Sequence, residues 1–395
     1  MRILVFVFLF LIGYNAIGQN RIPTLSPNAE ISVITIGPGP ELYDSFGHTA
    51  VRVRDPRLGI DTVFNYGLFD FDTPNFYTKF AQGKLLYRLG FSPFDDFLAN
   101  YIEQQRSVSS QKLVQSPQEK QALFVFLFEN AKEENSKYLY DFLYDNCATR
   151  PANAINSVYT SDVFENFQPE SQGLSHRQLI QKNVPWNSWG SFGMDIAIGS
   201  VTDRPVSNNA YLFLPEYFKD ALASAKGAQG NLIVEPVQII FNPTTPNVYK
   251  GNWITSPLVV FVLIALLIIY FTYTDRKKNR GITILDKTLL AVTGIIGILI
   301  ALLWFATEHA PTKWNYNLLW AFPFHLLAAF TLRKTANKKW LYPYMKLALI
   351  LLVLLAFHWT VGVQSYPLVL IPLLLAIAYR YIYILGVLKK TIVSE

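Results

Sequence analysis

Cysteine is almost missing from this chain. Cys147 stands alone in 395 residues, so no intrachain disulfide can form and a disulfide-stapled scaffold is excluded. Charge is scarce as well: 16% of the residues are charged and 51% hydrophobic, whereas soluble domains carry charge on about a quarter of theirs. That shortfall, with several long apolar runs, points to a membrane protein and excludes a disordered or collagen-like chain. Familiar catalytic signatures are lacking too. There is no GxSxG elbow, no HExxH helix and no dinucleotide fingerprint, and GPGPEL (37–42) lacks the Gly-Lys-Ser/Thr ending of a phosphate loop. Neither an internal repeat nor a low-complexity tract is present.

The net charge of +6 is unevenly placed. From Lys250 onward there are 15 basic and four acidic residues, and before it 19 basic and 24 acidic. Basic residues clustered between apolar spans mark membrane orientation rather than a nucleic-acid face, so no nucleic-acid partner is expected. Five apolar segments, at roughly 257–274, 286–306, 316–332, 344–362 and 366–386, each approach the length needed to cross the hydrocarbon. Arg276, Lys277, Lys278, Arg280 and Lys287 lie between the first and second; Arg333, Lys334, Lys338, Lys339 and Lys346 lie between the third and fourth; Lys389 and Lys390 follow the fifth. The other two loops hold only Lys313. With the basic loops in the cytoplasm, residues 20–252 lie outside. The opening MRILVFVFLFLIGYNAIGQ reads as a secretory signal peptide over 1–19, with Ala16 and Gly18 at the small positions before a cut, and it requires the same topology. The expected division is therefore signal peptide 1–19, exported domain 20–252 and five-span membrane domain 253–395, in the inner membrane.

Within the exported part, ISVITIG, HTAVRVR and DTVFNYG read as β segments broken by GPGP and DPRLG. SPQEKQALFVFLFENAKEEN reads as a helix with Ser116 as cap, Pro117 at its first position and Glu119 closing a capping box. NLIVEPVQIIF is a last β segment. Strands followed by helices suggest an α+β domain. Aromatics crowd residues 64–101; most are expected in the core, with others available to acyl chains or the bilayer interface.

Cys147 lies in YDNCATRP on the exported side, where an unpaired thiol is exposed to oxidation and is a poor choice for mere packing. Asp145, Asn146 and Thr149 are cap-forming, which suits a helix start whose free amides, with Arg150 nearby, would lower the thiol pKa. Pro151 delays regular helix to about Thr149 or Arg150. Such a nucleophile needs a base, and the exported domain offers His48 and His176. His48, after a glycine and opening a β segment, is the better candidate; His176 looks like an ordinary helix start. A hairpin centred between Pro56 and Arg57 would set Asn65 opposite His48, able to hold a ring nitrogen; Asp44 is the alternative orienter. In the membrane part, Glu308 and His309 fall in an outer loop and His325 and His358 in the outer halves of spans, where ionisable residues are functional candidates or helix–helix hydrogen bonds. Asn315, Asn317, Trp314 and Trp320 are candidates for headgroup binding or interface anchoring.

Histidine on a strand followed by cysteine at a helix start is the order of the circularly permuted papain-like enzymes, the NlpC-type and lecithin:retinol acyltransferase group. SFGHTAVRV, FNYG, YDNCATR, the late LP in YLFLPEYF and the run EHAPTKWNYNLLW resemble more closely the Lnb family, lipoprotein N-acyltransferases of the Bacteroides type. The resemblance implies a permuted papain-like exported domain, an antiparallel sheet with helices, before a five-helix membrane domain. It implies Cys147 as the acyl-accepting nucleophile and His48 as general base; Asn65 as the catalytic orienter rests on the hairpin pairing. Asn146, Arg150, His309 and Asn317 are candidate substrate contacts. The acyl donor would be a phospholipid and the acceptor the α-amine of a diacylglyceryl-cysteine lipoprotein, with neither cofactor nor metal. A periplasmic cysteine peptidase or amidase using the same two residues, and a non-catalytic membrane sensor or binding protein, remain open alternatives.

Overall fold

A computed structural model of the chain describes residues 22–332 and 338–393; the expected signal peptide lies outside them. The β-branched segments form β1 (Glu30–Ile36), β2 (His48–Asp55) and β3 (Ile60–Leu68), the middle of a seven-stranded sheet that also takes in β4 (Leu86–Pro93), β5 (Val108–Lys112), β6 (Lys137–Leu139) and β7 (Gln238–Phe241). Every pairing is antiparallel, in the order β6-β4-β3-β2-β1-β5-β7. Alternate residues of the central strands face opposite layers. Ile31, Val33, Val51, Val53, Phe64 and Tyr66 enter the larger core, shared with helices α3 (Pro117–Ala131), α4 (Thr149–Ser157), α5 (His176–Gln181) and α7 (Pro215–Ser224). Ile34, Ile36, Ala50 and Val63 face Phe94, Phe97 and Tyr101 of α2 (Phe94–Glu103) on the other side. A short helix α1 (Phe76–Gln82) lies between β3 and β4. The cap expected on α3 is formed: Ser116 Oγ accepts from the Glu119 amide while the Glu119 carboxylate accepts from the Ser116 amide.

The β2–β3 hairpin is centred one residue later than expected, which displaces every facing pair by two residues. Asp55 pairs with Ile60 and Val51 with Phe64, so Pro56, Arg57, Leu58 and Gly59 make the turn, with Gly59 at φ +68°. A one-residue slip would have reversed every side chain, but a two-residue displacement returns each to its face. His48 and Asn65 therefore still share the side that Ala50 and Val63 present to α2.

Among the described residues four helices are long and apolar enough to cross a bilayer: α8 (Pro257–Lys277), α9 (Ile284–Phe305), the Trp340–Thr360 part of α11 (Lys338–Thr360), and α12 (Ile371–Val393), whose apolar stretch begins in the turn before it, at Leu368. The third expected span takes another form. It is broken into a 3₁₀ turn, Tyr316–Leu319, and an eight-residue helix α10 (Phe324–Thr331). Pro323 separates the two, and neither piece is long enough to span. This broken segment runs antiparallel along α9, so close that a Cβ on Gly294 would lie 2.3 Å from the Leu326 amide nitrogen and one on Gly297 2.0 Å from the Ala321 carbonyl oxygen.

The exported and membrane parts are fastened together by buried polar groups. Arg177 is fully buried and donates through Nη1 to Asp195 and through Nε to Asp203. Asp203 Oδ1 also accepts from the Ser365 amide, in the loop before α12. Asn315 Nδ2 donates to the carbonyls of Ile196 and Ala197, the last two residues of helix α6 (Trp189–Ala197), and the amides of Gly199 and Ser200 donate to the carbonyls of Pro311 and Trp314. Irregular backbone beside a membrane domain persists when its polar groups are satisfied inside the protein. Here the exported domain satisfies them.

Candidate functional site

The site is built where the sheet opens. Pairing between β2 and β3 begins at Val51 and Phe64, leaving the first residues of β2 without a partner on that side. β3 leaves the ladder because its register on β4 shifts between Asn65 and Leu68, with Gly67 at φ +93° supplying the bulge. Cys147 occupies this opening. Its Cβ lies 3.7 Å from where a Cβ on Gly67 would stand, and the backbone amides of Thr49, the residue after His48, and of Cys147 itself bear on its sulfur and favour the thiolate.

The chain reaches this point through a tight loop. Asp141 and Asp145 exchange backbone hydrogen bonds, and the Asp141 carboxylate accepts from the amides of Leu143 and Tyr144. Asn146 then holds the turn that leads into α4. Its Oδ1 accepts from the amides of Ala148 and Thr149, and its Nδ2 donates to the carbonyls of Phe142 and Phe213. Both halves of its amide are thereby used in holding the loop. Helix proper begins at Thr149, so Pro151 falls in the first turn, where a missing N–H costs nothing. Arg150 makes a bidentate pair with Asp145, at 2.6 and 2.7 Å, and its guanidinium lies 3.4 Å over the Tyr138 ring.

His48 Nε2 and Asn65 Oδ1 are 2.6 Å apart. A carbonyl oxygen only accepts, so with this amide orientation the proton sits on Nε2 and Nδ1 carries the lone pair. The imidazole stacks near Tyr101, at 6.4 Å and 29°. Burial lowers its pKa to about 4, with Arg106 adding to the effect and the Asn65 bond opposing it. Burial pushes the Cys147 thiol up to about 11, while the two amides and Arg106 pull in the other direction. The thiol expected to be acidified is therefore raised, because the sulfur is buried and Arg150, expected to assist it, is engaged by Asp145. In this state thiol and imidazole are both neutral.

Asp44, the alternative orienter, is taken by another group: it accepts from Arg106 Nη1 at 2.7 Å. Arg106 is buried, also donates from Nε to the Gly37 carbonyl at 3.0 Å, and is the cation nearest in effect to both Cys147 and His48. Nothing in its sequence context, EQQRSV, marks it. Tyr140, whose Cε2 is also 3.7 Å from the Gly67 Cβ position, was likewise unmarked. His176 is buried between the rings of Tyr144 and Phe213, its Nε2 without a hydrogen-bond partner.

The candidates in the membrane part do not converge on the thiol. Asn317 is fully buried. Its Nδ2 donates to the Asp195 carbonyl and to Asn315, and its Oδ1 accepts from Trp320 Nε1, so it belongs to the junction between the domains. His309 bonds the Phe80 carbonyl at 3.0 Å, which ties the end of α1 to the outer loop after α9. His325 bonds Tyr344 Oη, and His358 stands edge-on to the Tyr316 ring. Among the described residues no group of three His, Cys, Asp or Glu could hold a metal ion.

Two family models match the chain: the Lnb N-terminal periplasmic domain over residues 24–180 and the Lnb transmembrane domain over residues 250–391. No curated protein and no solved structure is similar enough to add to these two matches.

Proposed function

Since the chain belongs to the Lnb family, as a multi-pass membrane protein with a periplasmic N-terminal domain, we propose that it is a cysteine-dependent acyltransferase of the inner membrane. It moves an acyl chain from a phospholipid, through a thioester on Cys147, to the α-amine of a diacylglyceryl-cysteine lipoprotein. The observation that carries this reading is the His48–Asn65 hydrogen bond, on the strand whose next amide, that of Thr49, bears on the Cys147 sulfur. A thiol, an imidazole and an orienting amide are the parts of a cysteine acyl-transfer site.

With Nε2–H fixed on Asn65, Nδ1 is the base. It takes the thiol proton as sulfur attacks the ester carbonyl. The tetrahedral oxyanion forms beside the amides of Thr49 and Cys147, the two backbone donors that bear on the sulfur. When the C–O bond breaks, the imidazolium returns its proton to the departing lysophospholipid alkoxide. In the second half the lipoprotein amine attacks the thioester, His48 takes the amine proton, and sulfur leaves and is reprotonated. Because thiol and imidazole are neutral at rest, proton transfer accompanies attack instead of preceding it. The third membrane crossing, on this reading, is the broken segment beside α9, giving five passes and cytoplasmic basic loops.

The test is intact-mass analysis of full-length protein incubated with phospholipid. The expected result is an acyl adduct on Cys147, released by hydroxylamine and absent from C147A. Lipoprotein added afterwards should gain that chain on its N-terminus. An unmodified protein after incubation defeats the two-step scheme, and peptide cleavage by the same thiol would make it a peptidase.

A further inference from the structure

A row of aromatic rings leads from the thiol to the outer end of the membrane domain. Tyr140 stands beside Cys147 over Gly67. Tyr87 stacks on Tyr140 at 4.4 Å and 25°, and Phe69 meets Tyr87 edge-on at 5.3 Å. Phe71 is 5.0 Å from Phe69 and 4.9 Å from Phe76, and Phe80 lies parallel to Phe76 at 6.4 Å. The far end of the row meets the membrane domain. The Phe80 carbonyl accepts from His309, and the Gln82 carbonyl accepts from the Glu308 amide, just past the outer end of α9. Tyr140 and Tyr87, near the thiol, are half-buried; farther out Phe71 is 67% exposed and Phe80 52%, with Phe76 buried between them.

An apolar row this continuous, on the water side of a membrane protein, marks a contact surface. Its continuity with the outer loop after α9 identifies lipid as the occupant, and its inner end at the sulfur identifies which part of the lipid. We propose that the row seats one acyl chain of the donor phospholipid, carbonyl end at Cys147 and methyl end still in the outer leaflet. An ester at headgroup depth reaches a thiol above the bilayer only if the first methylenes of its chain leave the hydrocarbon. Each methylene so exposed to water carries a free-energy cost, which a covering of rings removes. Flat, stiff rings do this with little loss of side-chain freedom. The inference rests on the acyl-transfer reading, but its test needs no turnover.

That test uses full-length C147S in phospholipid vesicles doped with a phosphatidylethanolamine carrying a diazirine partway along one chain. After irradiation, cross-links are mapped by peptide mass spectrometry. Adducts are expected on the Phe69–Phe80 stretch and also on Tyr87 and Tyr140. F71D and F80D, which put a charge into the apolar seat, should each lower the Tyr87 and Tyr140 adducts by at least about fivefold. F126D, at an exposed ring of α3 outside the row, should leave them unchanged. Adducts confined to the membrane helices, or stopping at Phe71 and Phe80 as for rings resting in the interface, overturn the proposal. So does an inner-ring signal that F71D and F80D do not alter. Such a cross-linking failure, alongside a normal hydroxylamine-sensitive adduct on the unsubstituted protein, would reject the route and leave the acyl transfer standing.

Discussion

At the scale of single residues, the pH behaviour of the site follows from burial. An ordinary histidine gains its proton near 6.5, but His48 is held down to about 4. A base must be unprotonated to work, so kcat/KM, which reports the free enzyme, should stay level as pH falls through 6.5 and drop only near 4. N65D places a carboxylate on Nε2–H and favours the imidazolium, so its acid limb should move up. N65A loses one hydrogen bond and should lower kcat/KM by roughly tenfold. A profile in which N65D leaves the limb in place would remove Asn65 from the site. Arg106 acts on the sulfur: R106Q takes away the cation that draws the thiol pKa down. Its iodoacetamide labelling of Cys147, measured against pH, should need a more alkaline solution than the unsubstituted protein.

At the scale of elements, the close approaches are the sensitive points. On Gly297 a Cβ would meet the Ala321 carbonyl at 2.0 Å, and on Gly199 it would meet the Lys313 carbonyl at 2.0 Å. Both obstacles are backbone and cannot rotate away. G297A should therefore push the broken segment off α9, and G199A should loosen the domain junction, each at about 1–3 kcal/mol as for overpacked sites. Thermal unfolding in detergent measures both, and an unchanged midpoint would mean that the neighbouring chain yields freely. The sequence carried the central strands, because β-branched alternation marks them, and the cap of α3, because Ser116, Pro117 and Glu119 are a local code. It hid β5, whose VSSQK is polar, and β6, only three residues long. Hydropathy also read 316–332 as one unbroken apolar segment, since an average over a window cannot see that regular helix starts only after Pro323 or that Asn317 bonds another domain. The facing of His48 and Asn65 was legible despite the misplaced turn, because strand parity survives a two-residue shift. Arg106 and Gly67 were not, since their roles depend on contacts remote in sequence.

At the scale of the whole molecule, Arg177 is the fastening. It joins Asp195 to Asp203, and Asp203 in turn holds the Ser365 amide across the junction. Removing a buried cation leaves two buried carboxylates unpaired, so R177M should destabilise the protein by roughly 3–5 kcal/mol, seen as early thermal aggregation and protease sensitivity. If R177M melted normally, the junction would rest on the asparagines and the backbone hydrogen bonds of Gly199 and Ser200. The same fastening fixes the height of Cys147 relative to the membrane helices. Helices of 21 and 22 residues, α8 and α9, are about 32 Å long at 1.5 Å per residue, close to a typical hydrocarbon thickness of about 30 Å. In a thicker or thinner bilayer the rigidly mounted thiol would sink towards the headgroups or lift away from them. Turnover measured across vesicles of graded chain length should accordingly rise to a single optimum and fall on either side.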